Sequence, residues 1–178
     1  MEYQELGSSG IKVSEVCLGT WTMGKKSWVG VDDEESIKTI HTALDRGINF
    51  IDTAELYPVP ATAETSGRTS KIIGNWIHKR NNRDKVILAS KIAGPGDYTA
   101  HIRTNGFSKE GINDAISKEL KRLQTDYIDL YQLHWPERQT NTFGVRDYKH
   151  NPNDSWKDNF NEVIIISAGP AGLHCAEI

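Results

Sequence analysis

The sequence predicts an α/β fold, part of a (β/α)8 barrel made of an N-terminal hairpin followed by about four β/α units. Three observations carry that expectation. Short apolar runs alternate with segments whose apolar residues recur at helical spacing, and this implies parallel strands, because parallel neighbours need a crossover long enough to hold a helix. A polar residue stands at the C-terminal end of each of four successive strands: Thr20, Asp52, Lys91 and His134. In a barrel those ends converge on one mouth. In an open doubly wound sheet they would lie along an edge about 4.8 Å per strand apart, too spread to act together. Finally, no glycine-rich phosphate turn follows Val16-Cys17-Leu18, as a doubly wound dinucleotide fold requires.

The elements follow in order. Residues 1–14 read as a β-hairpin, with Tyr3 and Leu6, then Gly7-Ser8-Ser9-Gly10, then Ile11 and Val13. Val16-Cys17-Leu18 is a short buried strand ending in Gly19-Thr20. Asp32-Asp33-Glu34-Glu35 opens a helix, since an acidic first turn suits the helix dipole. Its apolar face is Ile37, Ile40, Ala43 and Leu44, and Gly47 is its stop. Ile48 to Ile51 is a strand ending at Asp52. Residues 68–80 place Ile72, Ile73, Trp76 and Ile77 on one helical face, and Val86 to Ala89 is a strand closed by Ser90-Lys91. A loop with Gly94-Pro95-Gly96 leads to Ser108. After it Ile112, Ala115, Ile116, Leu120 and Leu123 mark the clearest amphipathic helix. Tyr127 to Leu133 is a strand that ends in His134-Trp135-Pro136.

Composition excludes several classes of function. The chain has 178 residues, 25% of them charged, with net charge −3, and this even balance argues against nucleic acid or an anionic membrane as partner. Five Trp, six Tyr and four Phe argue for a packed core rather than a disordered chain. No apolar run approaches the roughly 20 residues that cross a bilayer. The start, Met1-Glu2-Tyr3-Gln4-Glu5, lacks the layout of a signal peptide, so a cytoplasmic protein is expected. Cys17 and Cys175 lie far apart, without a second Cys or His at metal spacing. Two buried thiols are therefore expected, with no disulfide and no metal.

Asp52, Tyr57, Lys91 and His134 make a coherent set for proton transfer. A phenol with its ordinary pKa near 10 is a poor acid at neutral pH. A neighbouring ammonium is expected to stabilise the phenolate and lower that pKa, with Asp52 holding the lysine. A histidine across the pocket can donate to a carbonyl oxygen where negative charge develops as hydride arrives. This is the chemistry of carbonyl reduction by an external hydride donor. A single Asp at a strand end is usually a cap and a single Lys there is usually solvated; their recurrence at consecutive strand ends is what points to chemistry.

The segments Leu18-Gly19-Thr20-Trp21, Phe50-Ile51-Asp52-Thr53-Ala54-Glu55-Leu56-Tyr57, Ala89-Ser90-Lys91 and Asp129 through Pro136 resemble the aldo-keto reductase superfamily. The stretch from Tyr57-Pro58-Val59-Pro60 to Gly74-Asn75-Trp76 is most similar to a bacterial Tas-like subgroup related to potassium-channel β-subunits. The resemblance covers roughly residues 1–155. It implies a (β/α)8 TIM barrel and an NADPH cofactor. It also implies a tetrad of Asp52, Tyr57, Lys91 and His134, with Tyr57 the general acid, Lys91 and Asp52 its tuners and His134 the substrate-orienting donor. Thr20, Trp21 and Asp52 fall on the cofactor side, against the nicotinamide. A small aldehyde or ketone is the substrate so implied.

The chain also departs from the family. A closed barrel needs about 250 residues. Residues 1–136 supply the family's N-terminal half-barrel, 137–161 read as a polar linker, and 162–178 read as an apolar strand, a glycine turn and a helical stub. In the last segment Ser167-Ala168-Gly169-Pro170-Ala171-Gly172 resembles the opening of an FAD- or NAD(P)-binding Rossmann motif, with Ser167 in place of its first glycine. The resemblance therefore implies a carbonyl reductase impaired by loss of the half that holds most NADPH contacts. The alternative is a non-catalytic remnant or interaction module. The tail strand is expected beside the fourth strand, and the exposed parallel edge offers a route to self-association.

Overall fold

The computed structural model describes residues 1–25, 30–135, 165–169 and 172–176, the last two ranges as strand backbone. The N-terminal hairpin pairs β1 (Tyr3–Glu5) with β2 (Lys12–Ser14) antiparallel, Tyr3 opposite Ser14. Its turn is closed by Leu6 N–H donating to Ile11 O at 2.8 Å. Gly7 and Gly10 take φ of 58° and 74° there, a region that other residues enter only under strain.

The main sheet has the order β3 (Cys17–Gly19), β4 (Phe50–Asp52), β5 (Ile87–Ile92), β6 (Leu130–Leu133), β7 (Ile165–Gly169), β8 (Gly172–Ala176). The first four strands are parallel and in a register that aligns Gly19, Asp52, Ala89 and Leu130 across the sheet. Each parallel step is made by a helix: α1 (Asp33–Asp45), α2 (Arg68–Arg80) and α3 (Lys109–Leu123). These are the expected β/α units of a (β/α)8 barrel.

The helices start where their capping chemistry dictates. The Asp32 carboxylate accepts from Glu35 N–H at 3.0 Å ahead of α1, and Ser108 Oγ accepts from Gly111 N–H at 3.1 Å ahead of α3. Helix α2 spans the expected 68–80, burying Ile72, Ile73, Trp76 and Ile77. The three helices cover one sheet face. Ile51, Leu88 and Ile92 meet Ile40, Ile73, Trp76, Ala115 and Leu123 in one core, each such aliphatic side chain contributing about 1.5–3 kcal/mol by burial. Helices α2 and α3 approach so closely at Gly74 that an added Cβ would lie 2.3 Å from the Arg122 carbonyl oxygen.

Helix α1 differs from expectation in its stripe. Ser36, Ile40 and Ala43 are its buried positions, whereas Ile37 is 36% exposed. Ile37 lies outside the core cluster, against which Leu44 of the same helix packs. Cys17, expected to be buried, is an exposed free thiol on edge strand β3.

Because side chains alternate along a strand, Phe50, Asp52, Ile87, Ala89, Lys91, Leu130 and Gln132 occupy the sheet face opposite the helices. Beyond β6, β7 pairs antiparallel at Tyr131↔Ile166, which is the tail strand beside the fourth strand. β8 then folds back on β7, with Gly169 opposite Gly172. The helical stub expected at the end of the chain is therefore a strand. The chain does not form there the strand–turn–helix that a dinucleotide fingerprint needs. The linker read at 137–161 lies outside the described residues. No helix among the described residues is long and apolar enough to cross a membrane.

Candidate active site

The parallel register carries the chemistry to one end of the sheet. The ladder continues past the strands, with Thr53 N–H to Ala89 O at 2.9 Å, Glu55 N–H to Lys91 O at 3.2 Å and His134 N–H to Ile92 O at 3.0 Å. Asp52, Lys91 and His134 are thereby fixed at the ends of three adjacent strands. Tyr57 returns toward them because its N–H donates to Ala54 O at 3.0 Å, which turns the chain sharply after β4.

Lys91 is the centre of the cluster. Its Nζ donates to Asp52 Oδ1 and, at 2.8 Å, to the Thr53 carbonyl, and it lies 5.0 Å from the centroid of the Tyr57 ring. The Lys91 and Asp52 side chains are 13% and 25% exposed, so the pair is partly shielded from water. Gln132 Nε2 reaches Asp52 Oδ2 at 3.5 Å. The Tyr57 and His134 rings meet edge to face, centroids 5.7 Å apart at 74°. Trp135 lies against His134 at 5.1 Å and donates its Nε1–H to Pro95 O at 3.2 Å. Asp52, Tyr57, Lys91 and His134 thus form one group.

Its electrostatics differ from the sequence reading in one respect. Burial and then the Asp52 charge push the Tyr57 phenol up to about 12, instead of Lys91 drawing it down. The Lys91 ammonium donates to Asp52 and to the Thr53 carbonyl and stands 5.0 Å from the centroid of the Tyr57 ring, so burial is the larger influence on the resting phenol. His134 is pushed down to about 4 by burial and by the Lys91 charge, and its buried Nδ1 has no hydrogen-bond partner. Near neutral pH the site therefore presents a protonated phenol and a neutral imidazole.

Thr20 is fully buried at the end of β3, and both its N–H and its hydroxyl donate to the Asp52 carbonyl, at 3.1 and 2.8 Å, so it helps to fix the backbone of Asp52. Trp21, next along, is 42% exposed at the same strand end, its carbonyl accepting from Val59 N–H at 3.0 Å.

Two buried polar clusters escaped the sequence reading. Glu55 and Arg103 form an ion pair beside the Tyr57 turn. Glu119 accepts from Ser70 Oγ at 2.5 Å, Ser90 Oγ at 2.7 Å and Arg122 Nη1 at 2.9 Å on the helix side of β5. The signal available for both was an acid in a largely apolar stretch. Partners 48 and 49 residues away in sequence gave no local sign.

The His134 shift makes a pH prediction. Its folded pKa, near 4, lies below the unfolded value of about 6.5. As pH falls the unfolded chain takes up the proton first, so this contribution is complete above pH 6.5 and is lost progressively down through pH 4. Urea midpoints measured from pH 7 to 4 should fall more steeply for the wild type than for His134→Gln. Parallel curves would refute the assignment.

Residues 15–164 match the aldo/keto reductase family. Protein tas of Escherichia coli (strain K12) is 40% identical over 168 residues, which cover 93% of this chain and 46% of that protein. Aldo-keto reductase YhdN of Bacillus subtilis (strain 168) is 42% identical over 137 residues, 77% of this chain and 39% of YhdN. The chain thus spans about half the length of the curated relatives it matches. Among solved structures, the thermostable aldo-keto reductase Tm1743 aligns with a TM-score of 0.58 at 34% identity, covering 76% of this chain and 43% of its own. An aldo/keto reductase from Klebsiella pneumoniae, solved in complex with NADP and acetate, aligns with a TM-score of 0.53 at 32% identity, covering 70% of this chain and 36% of its own. With the family match running from residue 15 to residue 164 and taking in Asp52, Tyr57, Lys91 and His134, the chain belongs to the aldo/keto reductase family.

Proposed function

We propose that the chain supplies the proton-transfer side of an NADPH-dependent reduction of small aldehydes or ketones to alcohols. The observation that carries this reading is Lys91 held between Asp52 and the Tyr57 ring, with His134 edge to face against that ring. Family membership supports the reaction class, and the Klebsiella relative's complex with NADP supports the choice of cofactor.

The described residues fit the reacting end of that cofactor. Trp21 offers an exposed flat face at the β3 end of the site, and the unpartnered His134 Nδ1 marks a polar group awaiting a ligand or solvent. No phosphate cradle accompanies them at α1, whose first turn of Asp33, Glu34 and Glu35 repels anions.

NADPH, when bound, supplies a hydride with its electron pair to the carbonyl carbon. The chain's own part concerns the carbonyl oxygen. His134, neutral at working pH, offers a ring N–H to that oxygen. Tyr57 gives up its hydroxyl proton as charge builds there, so the C=O bond becomes C–OH and a phenolate remains. Lys91 stabilises that phenolate, and Asp52 fixes the lysine in place.

The test is direct. The full chain is titrated with NADPH by cofactor fluorescence and assayed for NADPH oxidation with a small aldehyde. Saturable micromolar binding with aldehyde-dependent turnover is the expected result. No binding and no turnover would refute the reading in favour of an interaction module.

A further inference from the structure

We infer that the buried Glu55–Arg103 pair is the positioning device that sets Tyr57 over the site, an inference that rests on the reductase reading. Glu55 is fully buried and Arg103 8% exposed. Arg103 grips the Glu55 carboxylate with both terminal nitrogens, Nη1 to Oε1 and Nη2 to Oε2 at 2.7 Å. Glu55 Oε1 also accepts the Ala93 N–H at 2.6 Å.

The location explains the purpose. Glu55 N–H to Lys91 O is the last main-chain bond between the β4 and β5 segments before the chain turns off toward Tyr57. At that point the carboxylate of Glu55, and not a backbone carbonyl, takes the next amide, Ala93. The chain is thereby free to turn through Ala54–Tyr57 without leaving Ala93 unsatisfied. Arg103, from the loop ahead of α3, then locks the carboxylate plane. Three segments meet in one fork: the Tyr57 turn, the residues just past Lys91, and the β5–α3 loop.

A buried ion pair adds little stability compared with apolar side chains of similar volume. The fork's yield here is geometry, because a bidentate contact fixes orientation as well as distance. Glu55 lies two residues before Tyr57, so an unlocked carboxylate lets the turn shift, and a shift of about 1 Å in a reacting group costs on the order of 10²-fold in rate.

The experiment compares the wild type with the double variant Glu55→Gln/Arg103→Met. This variant removes both charges while leaving an acceptor for Ala93. Three readouts are taken: kcat with the KM values for aldehyde and NADPH, the thermal midpoint, and the NMR cross-relaxation between the Tyr57 and His134 rings, assigned with Tyr57→Phe. We expect a folded protein in which that ring contact is weakened and kcat falls about 10²-fold, with the KM for NADPH nearly unchanged. A folded double variant with wild-type ring contact and kcat overturns the proposal. If the double variant does not fold, Arg103→Lys keeps the charge but loses the fork: a weakened ring contact supports the proposal and an unchanged one overturns it. A wild-type chain without reductase activity would refute the catalytic reading alone, since the ring contact still reports whether the fork positions Tyr57.

Discussion

Tyr57→Phe is expected to lower kcat for carbonyl reduction by roughly 10²–10⁴-fold, the usual worth of a general acid, while NADPH affinity stays close to wild type. The structure makes this substitution a clean one. The Tyr57 ring packs edge to face on His134 and lies under the Lys91 ammonium, and both contacts are made by the ring, so Phe retains them. What is lost is the proton. At a pKa of about 12 the wild-type hydroxyl is fully protonated at neutral pH, so the acid form is always available. It is also a weak acid in the resting site, so transfer awaits the charge that builds on the carbonyl oxygen as hydride arrives. Steady-state kcat for the variant, with NADPH binding measured in parallel, decides the matter. A variant that keeps more than about half of wild-type kcat would show that Tyr57 is not the general acid.

Much of this site was legible in the chain because strand ends are legible. Val86 to Lys91 and Tyr127 to His134 each change from apolar to polar where the strand meets the mouth, and parallel alternation then puts those ends side by side. Helix α2 was equally clear, its Ile72, Ile73, Trp76 and Ile77 falling on one face within 68–80. What failed was everything decided by a partner distant in sequence. Ile37 fits the apolar period of α1 but is 36% exposed and lies outside the core cluster, and period alone does not say which flank is covered. Thr20 is placed on the cofactor side by the family resemblance, but nothing local foretold that its hydroxyl donates to the Asp52 carbonyl 32 residues away. The tail was read through a glycine fingerprint. β7 instead pairs with β6 at Tyr131↔Ile166, and β8 pairs back on β7, so pairing outweighed the motif. The Glu55–Arg103 fork was invisible for the same reason: a carboxylate in an apolar run announces that it needs a partner but not which one.

Lys91→Met brings the same lesson to the chemistry. Sequence reasoning places an ammonium near a phenol and expects its removal to return the phenol to its ordinary pKa. The structure keeps the direction of that shift but changes its starting point, because the phenol is already raised to about 12. Lys91 is committed to Asp52 and the Thr53 carbonyl, and Asp52 is one of the two influences that raise Tyr57. Removing the ammonium leaves the Asp52 carboxylate uncompensated, in a site where it is only 25% exposed, so the Tyr57 phenol should be pushed further up. The phenolate formed after proton transfer then loses its counter-charge while a bare carboxylate remains nearby. The expected result is a loss in kcat of about 10²–10⁴-fold, similar to Tyr57→Phe. Because both residues serve one proton transfer, the double variant Tyr57→Phe/Lys91→Met should be little worse than either single one. Multiplying losses in the double variant would mean that Lys91 acts on a step other than the one Tyr57 serves. His134 supplies a further readout. Its pKa is held down partly by Lys91, so in Lys91→Met the imidazole should titrate above its wild-type value of about 4, which NMR of the ring protons would detect. An unmoved His134 together with a wild-type kcat would remove Lys91 from the site altogether.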